Sequence, residues 1–272
     1  MIDEKSNLIL MLTDEFILIF VFLLGLAIGS FLNCVIYRFT PHHKFGGGLR
    51  GRSFCPHCKH KLSWEDLIPI LSFVFLRGHC RYCRQKISPQ YPLMELATGL
   101  LFTMTFCYFG FGLELLLWLF ILTCLIAIFV YDLKYYIIPD SVVFSAMAAA
   151  FFLRIVDFEN LDFFSMSNFG FGVLVAPVFF LVIILVSRGR WMGLGDVKLA
   201  LLMVLTLGWP NILVAMFLAF LIGAIIGLGL IWGGKKTAKS EVPFGPFLVT
   251  GTVIALFWGE AIIDWYLQFV VI

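Results

Sequence analysis

Charge is scarce in this chain, and histidine is confined to one part of it. Only 13% of the 272 residues are charged, against 61% hydrophobic. A soluble domain is about 45–50% apolar, so a water-soluble globule is excluded. The five histidines all fall between positions 42 and 79. No His-Glu-x-x-His run is present, which removes the metal-hydrolase helix, and no Ser/His/Asp arrangement competes among the apolar segments. A dinucleotide-type glycine fingerprint is missing; Gly46-Gly47-Gly48 reads as a flexible loop. The start also lacks the basic opening and small-residue cleavage site of a signal peptide. Asp3, Glu4, Asp14 and Glu15 precede the first apolar run, and Arg38, Lys44, Arg50 and Arg52 follow it. These flanks predict an uncleaved first helix with its N-terminus outside.

Long apolar runs are what the chain does have. They are continuous rather than alternating, so helices are expected and not a barrel. The fold class is therefore all-α and polytopic, with about eight transmembrane helices. The spans are placed at Phe16–Tyr37, Leu93–Phe109, Glu114–Tyr131, Ile137–Val156, Phe169–Ser187, Val197–Gly208, Ile212–Trp232 and Phe244–Tyr266. Gly25 and Gly29, four apart in the first, permit close helix contact, and Asn33 suits a structural hydrogen bond. With eight spans both termini lie outside. Seventeen of the 19 Lys and Arg then fall on the cytoplasmic side, ten of them in residues 38–90; only Lys5 and Arg154 fall outside. The second external loop holds Asp157, Glu159 and Asp162 with no basic residue of its own. The apolar stretch Leu67–Leu76 is broken by Pro69 and is too short to span; it packs inside the loop domain or lies on the membrane surface.

Four of the seven cysteines form a box in that loop, Cys55-x2-Cys58 and Cys80-x2-Cys83, with 21 residues between the pairs. The units repeat: Cys55-Pro-His-Cys58-Lys-His-Lys61-Leu-Ser63 matches Cys80-Arg-Tyr-Cys83-Arg-Gln-Lys86-Ile-Ser88. Two such turns complete a tetrahedral site with no open position, which means structural rather than catalytic zinc. Disulfides are disfavoured in a reducing cytoplasm. His57 and His79 are possible substitutes for a thiol. Cys34, Cys107 and Cys124 lie in or beside apolar helices as small packing residues.

Carboxylates beside membrane spans are costly and need a reason. Glu114, Glu260 and Asp264 map to the outer interface. Glu95, near the start of the second span, pairs with a loop Arg or Lys or receives a cationic substrate group. Asp132, Asp140 and Asp196 all map to the cytoplasmic face. Asp140, after Pro139 and before an apolar run, reads as a helix N-cap. Asp196 has the same option, and Asp132 has Lys134 beside it. The sixth span offers about 12–13 apolar residues before Gly208-Trp209-Pro210, roughly 18–20 Å against about 30 Å of hydrocarbon. Asp196 is thus expected below the membrane surface. Gly193 and Gly195 leave room for a second backbone. Two aspartates so placed share a proton, one acting as general base on water and the other polarising a scissile carbonyl. That chemistry is peptide hydrolysis without a covalent intermediate.

These residues resemble the type IV prepilin peptidases, membrane aspartic proteases of the Gly-x-Gly-Asp type. The resemblance covers nearly the whole chain. It rests on Gly29-Ser-Phe-Leu-Asn33-Cys-Val-Ile-Tyr-Arg38, the paired Cys-x2-Cys units, Tyr91-Pro-Leu-Met-Glu95 and Asp132-x6-Pro139-Asp140. Gly193-Leu-Gly195-Asp196-Val-Lys198 and Pro243-Phe-Gly-Pro-Phe247 follow in order. Cys34 stands where a small aliphatic is expected. The resemblance implies that Asp132 and Asp196 are the catalytic pair, and that the basic leader of type IV prepilins and pseudopilins is cut at the cytoplasmic face. It also implies N-methylation of the new N-terminus from S-adenosylmethionine. Lys198 and Glu95 are then candidate contacts for substrate charge, and Gly193 and Gly195 for its backbone. The expected organisation is a first transmembrane helix at 1–37 with an external N-terminus, a cytoplasmic zinc-binding domain at 38–90, and a seven-helix membrane protease core at 91–272. The expected location is the bacterial cytoplasmic (inner) membrane, with prepilins and the lipid bilayer as partners and no nucleic acid. The alternatives are a non-enzymatic scaffold that docks a partner through its zinc module, and a proton-coupled transporter. A transporter would show inverted repeats and mid-bilayer acids, and neither is found.

Overall fold

The computed structural model describes residues 2–39, 51–156, 163–234 and 242–270. The glycine run at 46–48, Lys44, Arg50, the external acids Asp157, Glu159 and Asp162, and Lys235, Lys236 and Lys239 lie outside the described residues. Those described are almost entirely helical, with no β-strand among them. The order is α1 (Ile2–Arg38), a 3-10 turn (Glu65–Leu67), α2 (Leu71–Phe75), α3 (Gln90–Phe109) and α4 (Leu113–Tyr135). Then follow α5 (Asp140–Val156), α6 (Phe163–Ser187), α7 (Leu194–Leu207), α8 (Asn211–Trp232) and α9 (Gly245–Val270). Eight of these are long helices that fall where eight spans are expected. Six are long and apolar enough to cross a membrane: Glu15–Arg38 of α1, then α3, α4, residues 170–187 of α6, α8 and α9. The other two, α5 and α7, have 17 and 14 residues.

Several helix ends differ from the sequence expectation for identifiable reasons. The fourth span begins at Asp140 and not at Ile137, because the residue before a proline is pushed out of the helical region, so Ile138 stays extended and Pro139 takes the entry position. Its carbonyl accepts the amides of Val142 and Val143. The third helix does not stop at Tyr131. It runs one turn further and ends where Tyr136 turns to φ +57°, its amide returning to the Asp132 carbonyl at 2.9 Å. Asp132 therefore sits inside α4.

The chain divides into two units, Met1–Thr123 and Cys124–Ile272. In the first, α1 packs along α3 through small residues. A Cβ on Gly25 would lie 2.7 Å from the Cα of Gly99, and one on Gly29 would lie 2.8 Å from the Cα of Glu95. The backbones meet as the glycine spacing implies. Val21, Phe102, Leu115 and Leu119 form an apolar cluster beside this contact. Asn33 donates from Nδ2 to the Tyr91 carbonyl at 3.2 Å, tying the end of α1 to the start of α3. The Leu67–Leu76 stretch does not pack inside its domain as a whole. Phe73 turns in against Gly78, whereas Leu71, Val74 and Phe75 stay exposed.

In the second unit α7 is the centre, packed by α5, α6, α8 and α9. Leu199, Ala200, Leu202, Met203 and Val204 have no exposed surface. An apolar helix buried on every side cannot slide without opening voids, so its N-terminal turn is fixed in place. Its other end is closed by Arg154 of α5, whose Nε donates to the Leu205 carbonyl at 3.0 Å and whose Nη2 donates to Thr206 at 3.3 Å. A guanidinium on the last carbonyls of a helix satisfies them and complements the dipole. This accounts for one of the two basic residues on the expected outer side.

Candidate active site and metal cluster

The cysteine box folds as two copies of one turn. Cys55 N–H donates to the His60 carbonyl at 2.9 Å, and the Lys59 amide donates to Cys55 at 2.9 Å. The same pair recurs from Cys80 to Gln85 at 2.8 Å and from Arg84 to Cys80 at 2.9 Å. Lys59 and Arg84 take the same left-handed conformation, at φ 59° and 60°. Isolated antiparallel bridges close both, Phe54 with Lys61 and His79 with Lys86. The sequence repeat is thus a repeat of hydrogen bonds. The four Sγ atoms lie within 4.8 Å of one another, and those of Cys55 and Cys83 are 3.9 Å apart. A tetrahedron with Zn–S bonds of ~2.3 Å has sulfur–sulfur edges of ~3.8 Å, so the donor set fits a zinc-sized ion. Neither histidine joins the cluster; His79 instead bonds the Arg77 carbonyl through Nδ1 at 2.7 Å. Cys34, Cys107 and Cys124 form no disulfide.

Asp66 locks the two turns together, a role the sequence reading did not assign. Its side chain is 3% exposed. It accepts from the Ser63 amide at 3.1 Å, the Ser63 hydroxyl at 2.9 Å, Arg81 Nε at 2.8 Å and Tyr82 O–H at 3.2 Å. Burial raises its carboxyl, but the Ser63 hydroxyl and amide together with Arg81 outweigh burial and hold it below its ordinary value.

The two aspartates singled out by sequence are brought into one environment. Asp132 is 5% exposed and Asp196 is 8% exposed, and Asp196 is near enough to Asp132 to feel its charge. Oδ2 of Asp132 accepts the amide of Gly245 at 3.0 Å, at the first residue of α9. Asp196 is the third residue of α7 and not its cap. Its Oδ2 accepts the amide of Gly193 at 3.2 Å, while its own amide donates to the Gly193 carbonyl at 3.1 Å. This reciprocal pairing fixes the helix entry, and the helix N-terminus favours an anion there. Each carboxylate therefore has one oxygen held by a glycine amide. No side chain reads out that role for Gly245 or Gly193 in the sequence; the Pro243–Phe247 run marks only the place.

The remaining candidates fall as follows. Lys198 Nζ is 2.6 Å from Asp140 Oδ1 and lies 5.6 Å from the centre of the Phe144 ring. Asp140 is the first residue of α5 and spends its carboxylate on Lys198, so the N-cap reading is replaced by an ion pair. Glu95 makes no ion pair with an Arg or Lys among the described residues. It is 8% exposed, and its Oε2 accepts the Ile70 amide at 2.7 Å with the Ser30 hydroxyl as a second donor. The space at Gly193 is open, but a Cβ on Gly195 would press to 3.1 Å on Ile138.

The fold is that of a multi-pass helical membrane protein, with a four-cysteine cluster in its first unit and two buried aspartates, Asp132 and Asp196, in its second. Residues 23–109 match the bacterial peptidase A24 N-terminal domain and residues 119–228 match the type IV leader peptidase family. The chain is 32% identical to a prepilin leader peptidase/N-methyltransferase of Legionella pneumophila over 276 residues, covering 93% of this chain and 96% of that one. It is 33% identical to one from Aeromonas hydrophila, over 91% and 92% of the two chains, and 32% identical to one from Bacillus subtilis (strain 168), over 91% and 96%. No solved structure matches it. The chain belongs to the type IV leader peptidase family.

Proposed function

We propose that this protein is a membrane aspartic endopeptidase that removes the basic leader from type IV prepilins and pseudopilins, and then N-methylates the new N-terminus. The observation that carries this reading is the pair of buried aspartates, Asp132 and Asp196, each with one oxygen held by a glycine amide. Two carboxylates that meet in one site share one proton. The ionised carboxylate takes a proton from water, and the oxygen forms a bond to the scissile carbonyl carbon. The neutral carboxyl gives its proton to the carbonyl oxygen. The tetrahedral species collapses as the C–N pair passes to nitrogen, which takes up a proton. The products are a leader carboxylate and a free amine.

Cleavage at the cytoplasmic face of the bacterial inner membrane, with both termini outside, is the topology that the lysine and arginine distribution supports. An apolar substrate helix then lies in the bilayer and presents its basic leader to the site. Gly193 gives that backbone room, with Gly195 keeping the entry turn tight, Lys198 contacts substrate charge, and Glu95 receives a cationic group. Residues 1–37 form the first span, residues 38–90 a domain held by structural zinc on Cys55, Cys58, Cys80 and Cys83, and residues 91–272 the membrane protease core. A bound S-adenosylmethionine would supply an electrophilic methyl, whose C–S pair stays on sulfur as the amine lone pair forms the N–C bond and the ammonium then loses its proton to water.

The test uses purified Asp132→Asn and Asp196→Asn proteins and a prepilin with a basic leader. Each is expected to lose cleavage. Cleavage surviving in both, with wild-type melting, would sink the protease reading in favour of a scaffold.

A further inference from the structure

We propose that residues 64–75 form a membrane-embedded finger, whose apolar face is covered by the lipid acyl chains of the leaflet nearest the four-cysteine cluster. The inference does not depend on the peptidase reading.

The stretch turns its apolar side chains outward. In α2, Leu71, Val74 and Phe75 have the i, i+3, i+4 spacing of one helix face. All three are exposed, Phe75 by 81%, whereas Ser72 and Phe73 line the cavity on the inner side. Trp64, Leu67 and Ile68 add to the outward apolar surface, and Trp64 is 73% exposed. So much apolar surface in one short stretch marks a face that meets another apolar phase.

What covers it follows from where it is pinned. The Ile70 amide donates to Oε2 of Glu95 at 2.7 Å. Glu95 lies about 7.5 Å into α3. Its backbone meets Gly29, which lies about 13 Å before the end of α1 at Arg38. Both residues fall inside the apolar spans Glu15–Arg38 and Gln90–Phe109, and the headgroup layer is only about 5–8 Å thick on each side. Ile70 is therefore held at a depth where both spans have entered hydrocarbon. Residues 68–70 are not helical, and bare backbone is costly in lipid. Here its donors are met by protein: Glu95 takes the Ile70 amide, the Pro69 carbonyl takes that of Leu71, and the Ile68 carbonyl takes that of Ser72. Pro69 has no amide to satisfy. Ile70 stands at φ +59°, which a β-branched side chain rarely adopts, so these bonds hold a turn that the local sequence disfavours. Charge selects lipid over a second copy of the chain. Residues 38–90 hold ten Lys and Arg against Glu65 and Asp66, and both acids are spent on Arg81, at 3.2 and 2.8 Å. Arg77, directly after α2, is exposed. A second copy would bring this basic surface against itself, whereas anionic headgroups attract it.

The experiment puts the photocrosslinker p-benzoylphenylalanine in place of Trp64 or Phe75 in the full chain, an aromatic for an exposed aromatic, and reconstitutes each protein in nanodiscs of phosphatidylethanolamine and phosphatidylglycerol. Zinc content and melting check that each folds. After irradiation, mass mapping is expected to find phospholipid adducts at both positions. In a second arm, Val74→Asp and Phe75→Asp are each expected to lower the thermal midpoint in the same nanodiscs by several degrees, because the carboxylate is forced into hydrocarbon. On a water-facing surface such changes are nearly neutral. Adducts to a second copy or to residues beyond Thr123, no lipid adduct at either position, or unshifted midpoints in both Asp variants would each overturn the inference, whatever the prepilin cleavage assays show.

Discussion

The amide of Gly245 donates to Oδ2 of Asp132 at 3.0 Å, across 113 residues of sequence, and nothing larger than glycine fits there. A Cβ at that position would lie 2.6 Å from the same oxygen. The donor and the space it needs are therefore one feature: α9 starts where its first amide can reach a carboxylate of α4. Asp196 has the matching arrangement, with the amide of Gly193 on its Oδ2. In both cases a rigid backbone group orients the carboxylate, and a glycine donor has no side-chain entropy of its own to lose.

Gly245→Ala should accordingly damage cleavage without touching either aspartate. The added methyl displaces the Asp132 carboxylate, and a misplacement near 1 Å costs about 10²-fold in rate. Steady-state cleavage of a prepilin should fall by about that factor, with zinc content unchanged. Cleavage within about twofold of wild type would show that this contact does not position Asp132.

How far the sequence could be read depended on whether a residue acts through its side chain. The Cys-x2-Cys repeat was legible as two matching turns that bring four thiols together, because thiols at fixed spacing allow few geometries. Asp132 and Asp196 were legible because a carboxylate beside an apolar run is rare. Gly245 was not, since it acts through its amide on a distant helix. Asp66 looked like one of two acids in a basic loop, and only the folded turns bring Ser63, Arg81 and Tyr82 around it. Asp140 misled because Asp after Pro is a good local cap signal; the proline took the cap position, and Lys198, 58 residues on, took the carboxylate. Gly195 spends part of its expected clearance on Ile138.

Asp140, the acidic half of the Asp140–Lys198 pair, should matter little to turnover. The two side chains are 60% and 34% exposed, and an exposed ion pair is worth about 0.2–1 kcal/mol. Asp140→Asn should therefore keep cleavage within about fivefold of wild type, with any loss shrinking as salt is raised. A loss as large as that of Asp132→Asn would make Asp140 a third member of the site.

Arg154 should be a stability residue despite its distance from the aspartates. It satisfies two carbonyls at the C-terminus of α7, and a partly buried cation there contributes about 1–2 kcal/mol. Arg154→Met should lower the thermal midpoint in detergent, and Arg154→Lys should recover part of it. Gly208 is in the left-handed region at φ +68°, and a Cβ added there would lie 3.0 Å from Arg154 Nη2, so it should resist replacement by alanine. An unchanged midpoint in Arg154→Met would remove the cap from the account.

Metal analysis should find about one zinc per chain, and its removal by a chelator should expose residues 51–90 to proteolysis. Asp66→Asn should do so at lower chelator concentration, since it weakens charge-assisted hydrogen bonds worth about 1.5–3 kcal/mol each. The sign of the pH dependence follows from the direction of the shift. Asp66 lies below its ordinary value of 3.8 in the folded chain. A depressed carboxylate contributes in full above its unfolded value and loses that contribution as pH falls through the folded one. The stability gap between wild type and Asp66→Asn should thus be the same at about pH 6 and about pH 8, and should close only at and below about pH 4. A gap that changes between pH 6 and 8 would assign the coupling to another group, because Asp66 is ionised throughout that interval.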